Sequence, residues 1–226
     1  MHQKSVNIPA FFCLLILSFS GKAQQRDFQV WPSASVSIEF LRNTKFQVEE
    51  EVRFRENSSL LSREINDFGF SYRFSKYFRA GIFYRIEADY ENADDYSWRN
   101  GLYSDMAFRF GFNRFTAGYR LRLQSAKVEK NENDYLFSGF RHRHKISLEY
   151  DIKGIPLVPF IDSELFVDSK DGIKGMRSWV GLEYQIKKVH SVALKYGIDR
   201  EINSNDPVTA YILALGYSLD LSLLTK

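Results

Sequence analysis

Residues Phe78–Tyr90 read FRAGIFYRIEADY, and this stretch decides the fold. Its even-numbered positions are all apolar or aromatic, whereas most of its odd-numbered positions are charged or glycine. Because successive side chains of an extended chain point to opposite faces, a period of two indicates a β-strand with one apolar and one polar face. The stretch is long enough to cross a lipid bilayer as one tilted strand, which needs about 9–11 residues.

The same alternation recurs from Ala34 onward and gives eleven segments in total. We expect no helical segment, domain linker or low-complexity stretch after the N-terminal segment, so the fold class is all-β. The other ten segments are Ala34–Leu41, Lys45–Arg55, Asp67–Phe74, Leu102–Phe112, Phe115–Leu123, Lys145–Ile152, Leu157–Val167, Met176–Ile186, Ser191–Ile198 and Tyr211–Leu221.

The connections between these segments are expected to alternate between short and long. The short ones suit tight hairpins: Asn43-Thr44, Ser75-Lys76, Asn113-Arg114, Gly154-Ile155-Pro156 and Lys187-Lys188. The long ones are rich in Asn, Asp, Glu and Ser: Glu56–Asn66, Glu91–Gly101, Ser125–Phe137, Asp168–Lys174 and Glu201–Pro207. Hairpins that point alternately to two sides of a membrane produce this arrangement, with bare turns on one side and extended loops on the other.

Alternation alone fits two folds, a soluble β-sandwich with an apolar core and a membrane barrel with an apolar outer face. Glycine favours the barrel, because glycine weakens a water-exposed strand but leaves room inside a crowded lumen. Seven glycines fall on the polar face: Gly69, Gly81, Gly111, Gly118, Gly181, Gly197 and Gly216. Aromatic residues near the strand ends agree with a lipid–water boundary. The sandwich, with the aromatics as its core, stays open as the alternative.

Single-chain bacterial barrels have an even number of strands, and eleven segments break that rule. In the interpretation we favour, Asp27–Trp31 supplies an opening strand. The prediction is then a transmembrane antiparallel up-and-down β-barrel of about twelve strands, with ten as the alternative if one strand has been divided in two. A barrel of this size has a narrow lumen that side chains can fill.

The N-terminal segment has the features of a secretory signal peptide. An apolar run, Ile8–Phe19, is followed by small residues at the positions that a signal peptidase reads. We expect cleavage between Ala23 and Gln24, with residues 1–23 as the signal peptide and residues 24–226 as the barrel domain. The expected location is the bacterial outer membrane, and the lipids of that membrane are the expected partners.

Composition excludes several other classes. The chain of 226 residues has 31 Lys and Arg against 28 Asp and Glu, which gives no support to a nucleic-acid partner. Its mean hydropathy is negative, so it is too polar for a helical membrane bundle, yet 20 Phe and 13 Tyr are too many for a disordered chain. The single cysteine excludes a disulfide framework and a cysteine-based metal site.

The polar face is the best indication of function. Early strands place mainly arginine on it and later strands mainly acids, so closure is expected to set a cationic wall beside or opposite an anionic one. Two interpretations stay open: an ion-pair network that plugs the barrel, and a field across a wet pore that guides a small polar or anionic solute. The expected lumen-lining residues, and the candidate solute path, are Arg53, Arg73, Arg85, Arg109, Arg120, Arg122, Glu149, Asp162, Glu164 and Glu183.

Catalytic and metal-binding motifs are weak. His142 and His144 share one face of a strand at a spacing that can chelate a metal, but Arg141, Arg143 and Lys145 stand among them. Because these charges would oppose a divalent cation, we interpret the pair as histidines at the barrel rim. No serine stands in position to form a phospholipase-like pair with them. We predict no catalytic residue, no metal and no cofactor, and we expect the protein not to be an enzyme.

Several motifs resemble one family of bacterial proteins. They are Val30-Trp31, Val48–Arg55, Gly69–Phe78, Tyr119–Arg122 and Arg143–Tyr150. Together with the export signal they are similar to the uncharacterised proteins grouped as DUF2490, from about Val30 to the C-terminus. The resemblance implies an outer-membrane barrel of Bacteroidota-type bacteria and brings no known activity. One departure is the last strand, which is expected to run on through Leu223 without a terminal aromatic residue.

Three functions are compatible with these features. The first is a narrow channel for small polar or anionic solutes. The second is a plugged structural or adhesive barrel whose acidic loops, Glu91–Asn100 and Ser125–Asp134, bind a surface partner. The third is a lipid-modifying enzyme of the outer membrane that uses residues at the rim. The sequence leaves the oligomeric state open.

Overall fold

The computed structural model describes residues 26–92, 95–125 and 140–223 of the chain. The signal peptide expected at residues 1–23 lies outside the described residues. In the described part of the chain, no helix is long and apolar enough to cross a membrane. The last strand ends at Asp220 and a single 3-10 turn, Leu221–Leu223, follows it, so the strand does not run on through Leu223 as expected.

Eleven strands correspond one to one to the eleven segments of alternating sequence, so the all-β prediction is confirmed for the described residues. In chain order they are β1 (Arg26–Leu41), β2 (Thr44–Arg55), β3 (Leu60–Arg73), β4 (Phe78–Asn92), β5 (Asp95–Phe112), β6 (Phe115–Ser125), β7 (Phe140–Tyr150), β8 (Leu157–Asp168), β9 (Gly172–Ile186), β10 (His190–Glu201) and β11 (Thr209–Asp220).

The strands form one sheet that closes on itself, with neighbours in sequence adjacent in the sheet. These neighbours all pair antiparallel, and β1 closes the barrel by pairing parallel with β11, from Arg26 opposite Thr209 to Ser37 opposite Asp220. A single closed sheet rules out the β-sandwich alternative, in which two sheets would pack face to face.

The prediction of twelve strands is wrong, and so is the ten-strand alternative. Asp27–Trp31 is not a separate strand but the first part of β1, which has 16 residues. With an odd number of strands, the first and the last run in the same direction, so the pair that closes the sheet is parallel. The prediction that all pairs are antiparallel therefore fails at this one pair. Because β1 and β11 pair in parallel, the barrel closes without a twelfth strand.

The two ends of the barrel differ, and we name them by their connections. The turn end carries connections 42–43, 74–77, 113–114, 151–156 and 187–189. The loop end carries connections 56–59, 93–94, 126–139, 169–171 and 202–208, together with the start of β1. Asn43 and Asn113 adopt positive φ angles of 65° and 53° in their two-residue turns, a conformation that asparagine tolerates better than most residues.

Three of the long loops expected at the loop end are largely strand, and of Asp168–Lys174 only residues 169–171 form a connection. β3 and β5 begin seven residues earlier than the alternation predicts, so most of Glu56–Asn66 and Glu91–Gly101 belongs to the sheet. In β3, polar residues on both faces hide the period of two, but the backbone still pairs, with Arg63 opposite Asp89. In β5, Tyr96 and Trp98 keep the apolar face, and Asn100 interrupts it before Leu102. The expected loop Ser125–Phe137 lies outside the described residues except for Ser125.

The register places the polar positions of the strands inside the barrel and the apolar positions outside. Along β4 the odd-numbered residues point inward, and Glu87 and Asp89 among them are buried. On the outward face of the same strand, the Ile82 side chain is 65% exposed. Polar residues therefore face the interior of the barrel, and apolar residues face outward.

The seven glycines of the polar face all lie at inward positions. The structure gives a more specific reason for these glycines than crowding by charged side chains. A Cβ on Gly181 would lie 2.5 Å from Cζ of Phe160, and one on Gly69 would overlap the ring of Phe83. Several of these glycines therefore make room for inward aromatic rings, which fill the narrow interior.

Candidate functional site

All ten residues predicted to line the lumen point into the barrel. They are Arg53 on β2, Arg73 on β3, Arg85 on β4, Arg109 on β5, Arg120 and Arg122 on β6, Glu149 on β7, Asp162 and Glu164 on β8, and Glu183 on β9. Four of the ten pair with one another: Arg109 lies 2.5 Å from Glu149, and Arg120 lies 2.7 Å from Glu164. Other members take partners that sequence reasoning missed.

The expected separation into a cationic and an anionic wall is wrong. Arg85 donates to both carboxylate oxygens of Asp67 at 2.8 and 2.6 Å, and Arg122 donates to both oxygens of Asp105 at 2.8 Å. These acids come from the same early strands as the arginines, so the early strands carry charges of both signs. A signal was present in the sequence, because Asp67 shares the polar face of its strand with Arg73, and Asp105 shares that of its strand with Arg109.

Tyr103 lies between two arginines at mid-depth in the barrel. The guanidinium carbon of Arg122 is 3.8 Å from the centroid of the tyrosine ring, and that of Arg85 is 5.3 Å away. Phe83 stacks on the same ring with 5.0 Å between centroids. A guanidinium packs on an aromatic face while its edge binds a carboxylate, so this layer is filled without leaving its charges unpaired.

A second aromatic group fills the interior on the β1, β9 and β11 side. Trp31 meets Trp179 edge to face, with ring centroids 5.8 Å apart. Ile212 and Ala214 belong to the same buried cluster. The guanidinium carbon of Arg53 lies 3.9 Å from the centroid of the Trp31 ring, so the indole packs between apolar side chains and a cation.

Glu164 joins two arginines of neighbouring strands, with Arg120 and Arg143 each 2.7 Å from its oxygens. Arg143 also stands directly opposite Arg122 in the β6–β7 ladder. Like charges in that position repel, so the pair needs carboxylates beside it. Glu164 supplies one and Asp105 supplies the other.

These groups close the interior at mid-depth. Trp31, Tyr103 and Glu164 are each 4% exposed, Arg122 is 7% exposed and Ile212 is fully buried. Their strands, β1, β5, β8, β6 and β11, are distributed around the barrel. A water-filled passage would leave the side chains that line it exposed, so the described residues form an interior that is occluded at this level.

A cavity of about 1160 Å³ lies toward the loop end, and we call it the vestibule. Nine lysine or arginine residues and five aspartate or glutamate residues line it, so its wall is cationic. Arg63 and Arg99 both form ion pairs with Asp89, and the Arg99–Asp89 distance is 2.8 Å. Arg141 lies 3.6 Å from Asp168. The Arg141 side chain is 53% exposed and those of Arg63 and Arg99 are 34% exposed, so a solute can reach their guanidinium groups.

His142 and His144 share one face of β7, as expected, but that face is the outside of the barrel. Each has its own partner: His142 Nε2 lies 3.2 Å from Ser169 Oγ, and His144 Nδ1 lies 2.9 Å from the Tyr119 hydroxyl. The Ser169 hydroxyl donates to the Phe140 carbonyl at 2.5 Å, so its proton does not point at His142 as a nucleophile's would. The described residues contain no group of three or more His, Cys, Asp or Glu that could hold a metal.

One closed sheet with an apolar outer face and an ion-paired inner face defines the class, an up-and-down β-barrel with a polar interior. A family model described as "Protein of unknown function (DUF2490)" matches residues 28–208. The chain belongs to this family, as its motifs predicted. The matched region begins within β1 and ends just before β11. No curated protein matches the chain.

Proposed function

We propose that this protein is an outer-membrane β-barrel, exported by its signal peptide, that holds a small anionic solute in its vestibule. The outer face supports the location. Outward side chains such as Trp98, Ile146 and Phe70 are 63%, 62% and 54% exposed, and many others accompany them around the barrel. Soluble monomers rarely expose apolar patches of more than a few hundred Å², whereas a membrane barrel turns such a face to lipid.

The observation that carries the binding role is a cationic vestibule above an occluded interior. A channel needs a continuous wet path, so burial at mid-depth favours a protein that retains a solute over one that conducts it. Arginine presents paired N–H donors that match the oxygens of carboxylates and phosphates. We therefore assign a small carboxylate or phosphate to the vestibule, with Arg99 and Arg141 as its main contacts and with no catalytic group.

The test measures binding of inorganic pyrophosphate and of citrate to the folded protein in detergent by titration calorimetry. The double variant Arg99→Gln with Arg141→Gln is expected to weaken binding by about tenfold or more, because each lost charge-assisted hydrogen bond is worth about 1.5–3 kcal/mol. Arg42→Gln with Arg114→Gln is the matched control, since it removes two arginines at the turn end, far from the vestibule.

Planar bilayers provide the second measurement. The wild-type protein should insert without stepwise conductance, because its interior is occluded. Stepwise conductance would contradict the retained-solute proposal and favour the channel. Equal loss of anion binding in the two double variants would show that binding is not located in the vestibule. The loop Ser125–Asp134, which the adhesive alternative uses, lies outside the described residues except for Ser125.

A further inference from the structure

Each of the five connections at the turn end carries at least one cation. The six cations are Arg42, Lys76, Arg114, Lys153, Lys187 and Lys188. All six side chains are exposed, and Asp151 is the one acidic residue of these connections. By sequence, the five loop-end connections carry seven acidic residues and three lysines. The connections at the two ends of the barrel therefore have opposite net charge, positive at the turn end and negative at the loop end.

The turn-end cations differ from those of the interior in their partners. Many cations inside the barrel pair with carboxylates, as Lys145 does at 2.9 Å from Asp162. Among the described residues, none of the six turn-end cations has an acidic group within salt-bridge distance. Lys76 instead lies 4.7 Å from the centroid of the Tyr77 ring. Six charges of one sign thus remain available to an external anion.

The turn-end cations also border the apolar outer face. Leu41, which is 62% exposed, directly precedes Arg42, and Phe115, which is 37% exposed, directly follows Arg114. An exposed apolar residue next to an exposed cation matches the boundary of a bilayer, where acyl chains give way to phosphate groups. The cations therefore form a ring where the apolar belt ends.

We infer that the turn end binds the headgroups of anionic phospholipids. The inference rests on the proposed membrane location. It specifies which class of lipid the protein contacts and at which end of the barrel. Lysine and arginine near an anionic bilayer surface are attracted to it, and arginine can bind phosphate oxygens with two N–H groups at once. The loop-end connections, with their excess of acids, would repel such headgroups.

The experiment reconstitutes the full-length mature protein into phosphatidylcholine vesicles that contain a trace of spin-labelled phosphatidylglycerol or of spin-labelled phosphatidylcholine. The fraction of label immobilised at the protein gives the preference for the anionic lipid. We expect a preference of roughly threefold at low salt that disappears near 0.5 M salt, about where the Debye length falls to a few Å. Heat-modifiable migration in gels checks that each protein is folded.

Two triple variants with equal loss of charge separate the two ends. R42Q/K76Q/K188Q at the turn end should lose at least half of the lipid preference, whereas R26Q/K170Q/K174Q at the loop end should keep it. If a triple variant does not fold, the single changes K76Q and K170Q replace it. Insertion without any preference, or an equal loss in both variants, overturns this inference alone. Failure of the wild type to insert into either vesicle overturns the membrane location and this inference with it.

Discussion

Replacing Asp105 with Asn tests directly whether the interior is dry. Arg122 donates two hydrogen bonds of 2.8 Å to Asp105, and the two side chains are only 9% and 14% exposed. Asparagine keeps the shape of aspartate but removes its charge. Arg122 would then remain buried, with Arg143 directly opposite it on the next strand.

The expected cost follows from this geometry. Removing one partner of a buried ion pair typically costs about 3–5 kcal/mol, because the other charge is left without compensation. An asparagine oxygen can still accept one hydrogen bond, which recovers about 1 kcal/mol. The Asp105→Asn change should therefore lower the free energy of unfolding by about 3 kcal/mol, more than a hundredfold in the unfolding equilibrium.

Urea unfolding of the micelle-bound or vesicle-bound protein, followed by tryptophan fluorescence, measures this loss. Asp206→Asn, in the exposed connection 202–208, is the control and should stay within about 0.5 kcal/mol of the wild type. The double variant D105N/R122Q should be more stable than the sum of its single changes predicts, because no buried charge is left unpaired. A loss below about 0.5 kcal/mol for Asp105→Asn would mean that water reaches Arg122, and the argument for an occluded interior would be refuted.

Two further changes probe the packing of the interior. Gly181→Ala should lower the free energy of unfolding by about 1–3 kcal/mol, because its Cβ would lie 2.5 Å from the Phe160 ring. Gly111→Ala, whose nearest atom would be 4.0 Å away, should stay within about 0.5 kcal/mol in the same assay, and equal losses would contradict the steric argument. Trp31→Ala should cost about 3–5 kcal/mol and should produce stepwise conductance in planar bilayers. A Trp31→Ala variant that stays silent would contradict the role of this indole in closing the interior.

The parallel pair of β1 and β11 is the unusual element of this barrel, and side chains reinforce it near the turn end. Ser35 donates to Ser218 across the two strands at 3.0 Å. The hydroxyl of Ser222, in the 3-10 turn, accepts from the backbone N–H of Glu39 at 2.7 Å. Parallel ladders are slightly less stable per residue than antiparallel ones. These two side-chain hydrogen bonds add stability to the pair of strands that closes the barrel.

Local alternation was sufficient to predict the strands and the direction of their side chains. All eleven segments are strands, and the ten candidate lumen residues all point inward. The reason is that side-chain direction in a strand depends only on whether a position is odd or even. The rule had no alternation to use in the first part of β3, where polar residues lie on both faces. The first part of β5 does alternate, with Tyr96 and Trp98 on the outward face, but Asn100 separates it from the segment that begins at Leu102.

Partners and closure depend on the whole sheet. Arg120 pairs with Glu164, 44 residues away, and Trp31 at one end of the chain meets Trp179 on β9. No short sequence window contains both members of such a pair, because register and strand order bring them together. Likewise, Asp27–Trp31 is part of β1 because it pairs with β11 in the parallel ladder, and this pairing decides the odd strand number. The face to which a side chain points depends only on its odd or even position, so the local sequence predicts it. The contacts across the closed barrel depend on register and strand order, which only the assembled fold determines.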